Sequence, residues 1–174
     1  MLVASSEFTL KSSPVRRTLE QRLIDDLKVG LTRNGFDGFR MEKDAGRIIV
    51  RGAQEAQSAA RCCARVFGVA YAAPAMVLPA SMNSVLEAIV RLAAKSLKPT
   101  QSFAIRAHRA TPGPLSRHEI EIKGGSEVLR TLKPKAVRVD LTKPDVTIFV
   151  DLVGDHAYVY HERLTGPGGL PLSS

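Results

Sequence analysis

The sequence predicts an α/β (α+β) chain made of two successive units, a β-α-β-β-α-β arrangement over residues 1–78 and a second α/β unit over residues 79–174. Three observations predict it. Leu19, Leu23, Leu27 and Leu31 recur at spacing four, which puts one apolar stripe on a helix between short strand-like runs. Pro79 interrupts the pattern, and a second helix and strand series starts just beyond it. Val146, Ile148, Val150 and Leu152 alternate with period two, as a strand with one buried face requires.

Each element follows from local chemistry. Residues 2–10 read as a strand. Ser13 offers a helix cap and Pro14 a first helical position for the leucine helix, which Gly35 stops. Residues 37–42 and 46–51 read as strands joined at Asp44-Ala45-Gly46. The Ala-rich stretch from Ala53 to Val66 reads as a helix ended by Gly68, and Val69 to Leu78 as one strand. That order is ferredoxin-like. In the second unit, Ser81 or Ser84 caps a helix closed by Pro99, and residues 102–108 alternate as a strand. A helix starts at Ser116, and strands are expected at 136–141, 145–153 and 156–162. The stretch Gly166-Pro167-Gly168-Gly169-Leu170-Pro171 is expected to hold no regular structure.

Hydrophobic residues make up 44% of the 174 and charged residues 24%, enough for a core in an ordinary globular protein. No apolar run approaches the ~20 residues that span a bilayer. The start lacks the basic region of a secretory signal, so the expected location is the cytoplasm and no membrane partner is expected. The adjacent cysteines, Cys62 and Cys63, read as small apolar residues on a helix rather than as a metal site or a disulfide.

The net charge is +8, and its distribution is uneven. Residues 95–143 carry eleven Lys/Arg against four Asp/Glu, whereas residues 144–174 carry one against four. A localised positive field points to a polyanionic partner, nucleic acid before a membrane surface. Within that segment, Leu115-Ser116-Arg117-His118-Glu119-Ile120 is the sharpest motif. Ser116 and Glu119 have the spacing of a capping box, and Leu115 and Ile120 that of a hydrophobic staple. Arg117 and His118 stand in the first turn, where the helix dipole disfavours cations. With Arg106 and Arg109 leaving the strand upstream, this arrangement suits phosphate. A capped helix with solvated arginines is the plainer alternative, and the charge excess favours the anion site over it.

Arg16 and Arg17 repeat the pattern in the first turn of the leucine helix, after Lys11. Lys133, Lys135 and Arg138 surround Pro134; they extend the basic stripe or form a solvated turn. The six cations Arg106, Arg109, Arg117, Lys133, Lys135 and Arg138 are expected on one continuous surface. Neither Gly124-Gly125-Ser126 nor Gly166 to Gly169 fits a nucleotide-binding loop. The four histidines, at 108, 118, 156 and 161, lack metal-ligand spacing, so no metal and no cofactor is expected. Trp is absent and aromatics are 5%, which favours phosphate, sugar and base-edge contacts over broad stacking.

An ordered series of landmarks also runs along the chain. Glu7-Phe8-Thr9-Leu10-Lys11 precedes Arg16-Arg17 and the leucine helix. Gly46-Arg47-Ile48, Val66-Phe67-Gly68-Val69 and Pro74-Ala75 follow. Ser102-Phe103-Ala104-Ile105-Arg106-Ala107, Ser116-Arg117-His118-Glu119-Ile120, Val139-Asp140-Leu141 and Pro144-Asp145-Val146 come next. Ala157-Tyr158-Val159-Tyr160 and the Gly166 to Pro171 stretch complete the series. Taken together, the series resembles the amino-terminal region of tRNA 4-thiouridine synthetases. The resemblance implies a ferredoxin-like domain followed by a THUMP domain that grips the acceptor end of tRNA. In that family an ATP pyrophosphatase domain with an S-G-G-x-D-S loop performs the chemistry, and this sequence reaches Ser174 before any such loop. It also holds no rhodanese-like cysteine domain.

The expectation is therefore a non-catalytic tRNA-binding module. Its binding residues would be Lys11, Arg16, Arg17, Arg106, Arg109, Arg117, His118, Lys133, Lys135 and Arg138. Catalysis, uridine thiolation by implication, would come from another domain, a separate ATP pyrophosphatase or another tRNA-modifying enzyme. A protein-interaction adaptor, which would need an exposed apolar patch, and an enzyme in its own right, which would need a deep polar pocket, are the competing readings.

Overall fold

The computed structural model describes residues 1–5, 12–44, 46–53 and 55–171. In chain order the elements are β1 (Leu2–Ser5), α1 (Ser13–Arg33), β2 (Arg40–Asp44), β3 (Arg47–Arg51), α2 (Ala56–Cys63), β4 (Val69–Ala73) and β5 (Met76–Pro79). There follow α3 (Met82–Ser96), β6 (Ser102–Arg109), α4 (Arg117–Thr131), a 3-10 turn at Lys133–Lys135, β7 (Arg138–Val139), β8 (Val146–Val153), β9 (His156–Tyr160) and β10 (Leu164–Thr165). The chain forms two compact units, Met1–Pro74 with Glu162–Ser174, and Ala75–His161.

The first unit has the expected β-α-β-β-α-β order on a sheet arranged β10-β4-β1-β3-β2. β1 runs antiparallel to both β3 and β4. Leu19, Leu23, Leu27 and Leu31 are buried on one face of α1, as their spacing dictates, and pack with Val3, Ile48, Val50, Val69, Ala59 and Cys63. Glu20 lies beside this stripe and is buried, with its carboxylate held between Arg16 and Lys43 of β2. Burial pushes the carboxyl up, and the two cations more than offset that, so it is held below the usual carboxylate range.

Several boundaries differ from those read in the sequence. The strand placed at 2–10 includes residues 6–10, outside the described residues. The leucine helix is capped by Ser12 rather than Ser13, without a side-chain bond. β2 begins at Arg40, and α2 is eight residues rather than the stretch from Ala53 to Val66. The strand drawn from Val69 to Leu78 is two strands in two different sheets. Pro74 separates them, and it has no N–H with which to continue a ladder.

β5 belongs to the second unit, and residues from Glu162 onward return to the first. β10 adds to β4 through Leu164↔Ala72 and Thr165↔Tyr71. The Gly-Pro-rich stretch then bonds to backbone, Gly166 N–H to Ala70 C=O at 2.9 Å and Gly68 N–H to Gly168 C=O at 2.7 Å. The Arg163 guanidinium lies 4.4 Å from the centre of the Tyr71 ring. A Cβ at position 166 would run into the Val69 carbonyl oxygen, so only glycine lets the returning chain lie this close.

The second unit carries its own sheet, ordered β5-β9-β8-β6-β7. β6 is parallel to β7 and β8, and β9 is antiparallel to β5 and β8. One sheet face, with Phe103, Ile105, Ile148, Val150, Leu152, Ala157 and Val159, packs under α3 and α4. The other carries Phe149 stacked on Tyr160, with ring centres 5.3 Å apart, and buried Asp151 accepting a bond from the Tyr160 hydroxyl at 3.2 Å.

Two outcomes are expected from the first unit. Glu20→Gln should lower its stability by about 1.5–3 kcal/mol near neutral pH, the range for a hydrogen bond to a charged group. Because the folded carboxyl titrates lower than the unfolded one, that stability is present above the unfolded value, ~4.3, and is lost as pH falls through the folded one. Urea melts of both proteins from about pH 6 downward should therefore converge in acid; a constant gap would contradict the ion-pair account. Gly166→Ala should destabilise the same unit by about 1–3 kcal/mol through overpacking, with faster exchange of the Gly68 amide. Unchanged melting would mean that the returning segment is not held.

Candidate nucleic-acid interface

The second unit builds its site around the start of α4. Ser116 is the cap, in extended conformation, and its hydroxyl accepts from the Glu119 N–H at 3.4 Å. The reciprocal half of the capping box is not what the Glu119 carboxylate makes; it pairs instead with Lys123 one turn on. Ile120 is buried and Leu115 packs against the same core, as a staple requires. Below them Gly124 lies flat on the sheet. A Cβ there would stand 2.8 Å from Ile105 Cδ1 and 3.1 Å from Ile89 Cδ1. The Gly-Gly-Ser stretch is thus a packing device inside α4 and not a nucleotide loop.

The start of β6 is locked from the other end. Ser102 donates to Asp145 from its N–H at 2.7 Å and its hydroxyl at 2.8 Å, and accepts from the Asp145 N–H at 3.0 Å. The backbone and side-chain bonds from Ser102 hold the Asp145 carboxyl below the usual range. Asp140 accepts from the N–H groups of Thr142 and Lys143 and closes the turn after β7. Bonds from Lys143 and Thr142 hold its carboxyl low as well.

The predicted cations fall into distinct settings. Arg117 is exposed in the first turn of α4 and makes no ion pair among the described residues. His118 is exposed beside it. Arg109, at the end of β6, donates from Nη1 to the Thr111 carbonyl at 3.3 Å, and its buried Nη2 has no partner among the described residues. Arg106 is exposed and donates to the Leu141 carbonyl. Of these four, Arg106 and His118 border one cleft.

Lys133, Lys135 and Arg138 lie beyond the opposite end of α4, whose fifteen residues span about 22 Å. Lys135 donates to the carbonyls of Ala94 and Leu97, at 2.7 and 2.8 Å, and so caps the end of α3. Arg138 donates to the Thr100 carbonyl at 2.7 Å. Along β6, Arg138 thus pairs at the start of the strand, Arg106 follows four residues on from its partner, and Arg109 ends the strand. In the first unit Arg16 is tied to Glu20, Arg17 is exposed, and Lys11 lies outside the described residues.

Beside the helix start lies a cleft of about 340 Å³ between α4 and the β7 edge of the sheet. Exposed Ile122, Leu129, Val139 and Leu141 line it, with Arg106 and His118 at its rim. Sequence reasoning missed these four. The available signal was that Ile122 and Leu129 fall off the buried stripe of α4, which is Ile120, Gly124 and Val128.

Burial pushes the Cys63 thiol up to about 12, and burial also raises Cys62, whose sulfur donates to the Gly30 carbonyl at 3.3 Å. Among the described residues no three His, Cys, Asp or Glu side chains gather as a metal ion would need, and no helix is long and apolar enough to cross a membrane.

Comparison with known proteins places these features in a family. Residues 1–73 match the ThiI ferredoxin-like domain, and residues 79–162 match the THUMP domain. The probable tRNA sulfurtransferase of Methanosarcina acetivorans is 33% identical over 176 residues, covering 100% of this chain and 42% of that protein. Its counterpart in Halobacterium salinarum is 30% identical over 175 residues, covering 100% and 44%. The chain spans less than half the length of these curated relatives. Among solved structures, PH1313 of Pyrococcus horikoshii superimposes with TM-score 0.85 at 29% identity, over 98% of this chain and 56% of that one. A 4-thiouridine synthetase solved as an RNA complex with bound ATP shares the fold, with TM-score 0.77 at 20% identity over 98% and 42%. With both domains matched in order, the chain carries a ThiI ferredoxin-like domain followed by a THUMP domain, and it aligns over its whole length with part of the curated tRNA sulfurtransferases.

Proposed function

We propose that this region is a tRNA-binding module that holds the acceptor 3′ end for uridine thiolation, with the chemistry supplied by another domain or by a separate ATP pyrophosphatase. The observation that carries the reading is the start of α4. Its first-turn N–H groups and dipole end favour an anion, and Arg117, without an ion pair among the described residues, stands in the first turn. Arg109 adds a guanidinium nitrogen without a partner among the described residues, and Arg106 and His118 would complete the cluster. A helix end fixed by a cap and a staple can hold phosphates in one frame while side chains read unstacked base edges. The relatives named tRNA sulfurtransferases, and the RNA complex that shares the fold, support the choice of RNA.

Lys133, Lys135 and Arg138 take a secondary part in this reading, since two of them already bond to backbone carbonyls. Arg17 and Lys11 would contribute from the first unit, and Arg16 less, because it serves Glu20. Thiol chemistry by Cys62 or Cys63 has no place in it.

Binding to tRNA should weaken steeply with salt, with a log–log slope of roughly −0.7 to −0.9 per neutralised phosphate. Arg117→Ala should reduce that slope by about one unit and leave the fold intact, because Ser116 keeps the cap. A slope near zero for the unmodified chain would remove phosphate as the source of binding.

The acceptor end is tested by comparing intact tRNA, tRNA trimmed of its 3′ overhang and a blunt acceptor-stem duplex at two salt concentrations. Trimming should cost more than the lost phosphates explain at matched salt. Equal binding of all three would reduce the site to a nonspecific phosphate patch.

A further inference from the structure

The edge of the second unit's sheet is left open beside an apolar cleft. β7 pairs with β6 only through Ser102↔Arg138 and Phe103↔Val139, so it covers the first two of eight residues in β6. In a parallel ladder alternate residues bond to opposite neighbours. Asp140 donates its N–H to the Phe103 carbonyl at 3.0 Å, so Phe103 faces β7, and Ile105 and Ala107 face the same side. Beyond Val139 no described strand lies there. The Ala107 N–H is met by the Glu121 carboxylate of α4 at 2.9 Å, a side chain in place of a strand. The main-chain groups of Ile105 point to the open edge.

Over that edge lies the cleft. Ile122, Leu129, Val139 and Leu141 are 55%, 40%, 44% and 61% exposed, and they are four of the nine large apolar side chains exposed among the described residues. Exposed apolar surface gathered in this way marks an interaction site. Arg106 lines the rim and Arg117 is exposed in the first turn of α4, while the exposed apolar part of the lining is aliphatic and offers no Phe, Tyr or Trp on which a base would stack; the Glu121 carboxylate in the lining is turned to the Ala107 N–H.

We propose that this groove takes an extended segment of a partner protein, which adds as a strand along β6 past Val139. Its main chain pairs with Ile105, alternate apolar side chains enter between Ile122, Leu129, Val139 and Leu141, and flanking carboxylates meet the cationic rim. An open strand edge with a pocket for alternate side chains is what such strand addition requires, and the charge of the rim selects an acidic segment. The inference rests on the second unit's own geometry and does not depend on the RNA reading.

The test uses a displayed library of random seven-residue peptides selected on the full chain, with counter-selection on Ile122→Asp and Leu129→Asp. Both positions are exposed, so both variants should keep the thermal melt of the unmodified chain. Selected peptides should alternate apolar residues and carry carboxylates. They should protect the Ile105 amide from hydrogen exchange and bind each variant at least tenfold more weakly, while both variants keep tRNA affinity within twofold. Three results would overturn the proposal. One is the absence of any enriched pattern. Another is tRNA affinity that falls with either aspartate, which would give the groove to RNA. The third is self-association of the unmodified chain that either aspartate abolishes, which would give it to a second copy. Failure of tRNA binding in the unmodified chain would bear on the RNA reading alone.

Discussion

The second unit depends on how closely α4 can approach β6, and position 124 sets that distance. Gly124 is buried against Ile105 and Ile89 with no room for a Cβ, so the helix lies directly on the sheet. Side chains are packed to near-crystalline density in such a contact, and a methyl group there would force the ends of the Ile105 and Ile89 side chains to give way. The contact positions the helix start. It sets Ser116, Arg117 and His118 beside the end of β6, where Arg109 turns into the following loop. It also leaves Ile122 and Leu129 off the buried stripe, overhanging the uncovered part of the strand. The anion-favouring helix end and the apolar groove are two consequences of one helix placement.

Basic residues in this unit divide by what their heads already bind. Lys135 and Arg138 satisfy carbonyls at the end of α3 and in the loop before β6, where orphan acceptors would otherwise face loss of hydrogen bonds. Arg117 satisfies nothing among the described residues, and Arg109 satisfies one carbonyl with one nitrogen. A cation bonded within its own fold must give up those bonds to reach a phosphate, whereas a free one loses only water and rotamer freedom. The same division separates Arg16, tied to Glu20, from exposed Arg17 in the first unit.

The first unit solves a different problem. Its sheet gains a strand from a segment about ninety residues further along the chain, and the join is made by backbone bonds, a glycine close approach and the Arg163 guanidinium over Tyr71. Glu20 is buried beside the leucine stripe because two cations from different elements reach it, one from its own helix and one from β2.

The sequence by itself determined the periodicities and the punctuation. Leucines at spacing four define the buried face of α1, alternation defines β8, Ser116 defines the start of α4, and Pro79 interrupts the chain. All of these act over a few residues, so they are legible without neighbours. The excess of positive charge over residues 95–143 is a property of composition and was equally legible. The tertiary structure alone decided which of those charges remain free. Lys135 is occupied by carbonyls thirty-eight and forty-one residues away, and Arg138 by one thirty-eight away. It also decided that Val69 to Leu78 serves two sheets, that the glycine-rich stretch returns to β4, and that β7 stops short of covering β6. Each of these depends on which distant segment supplies a partner, and local propensity carries no information about partners that far along the chain.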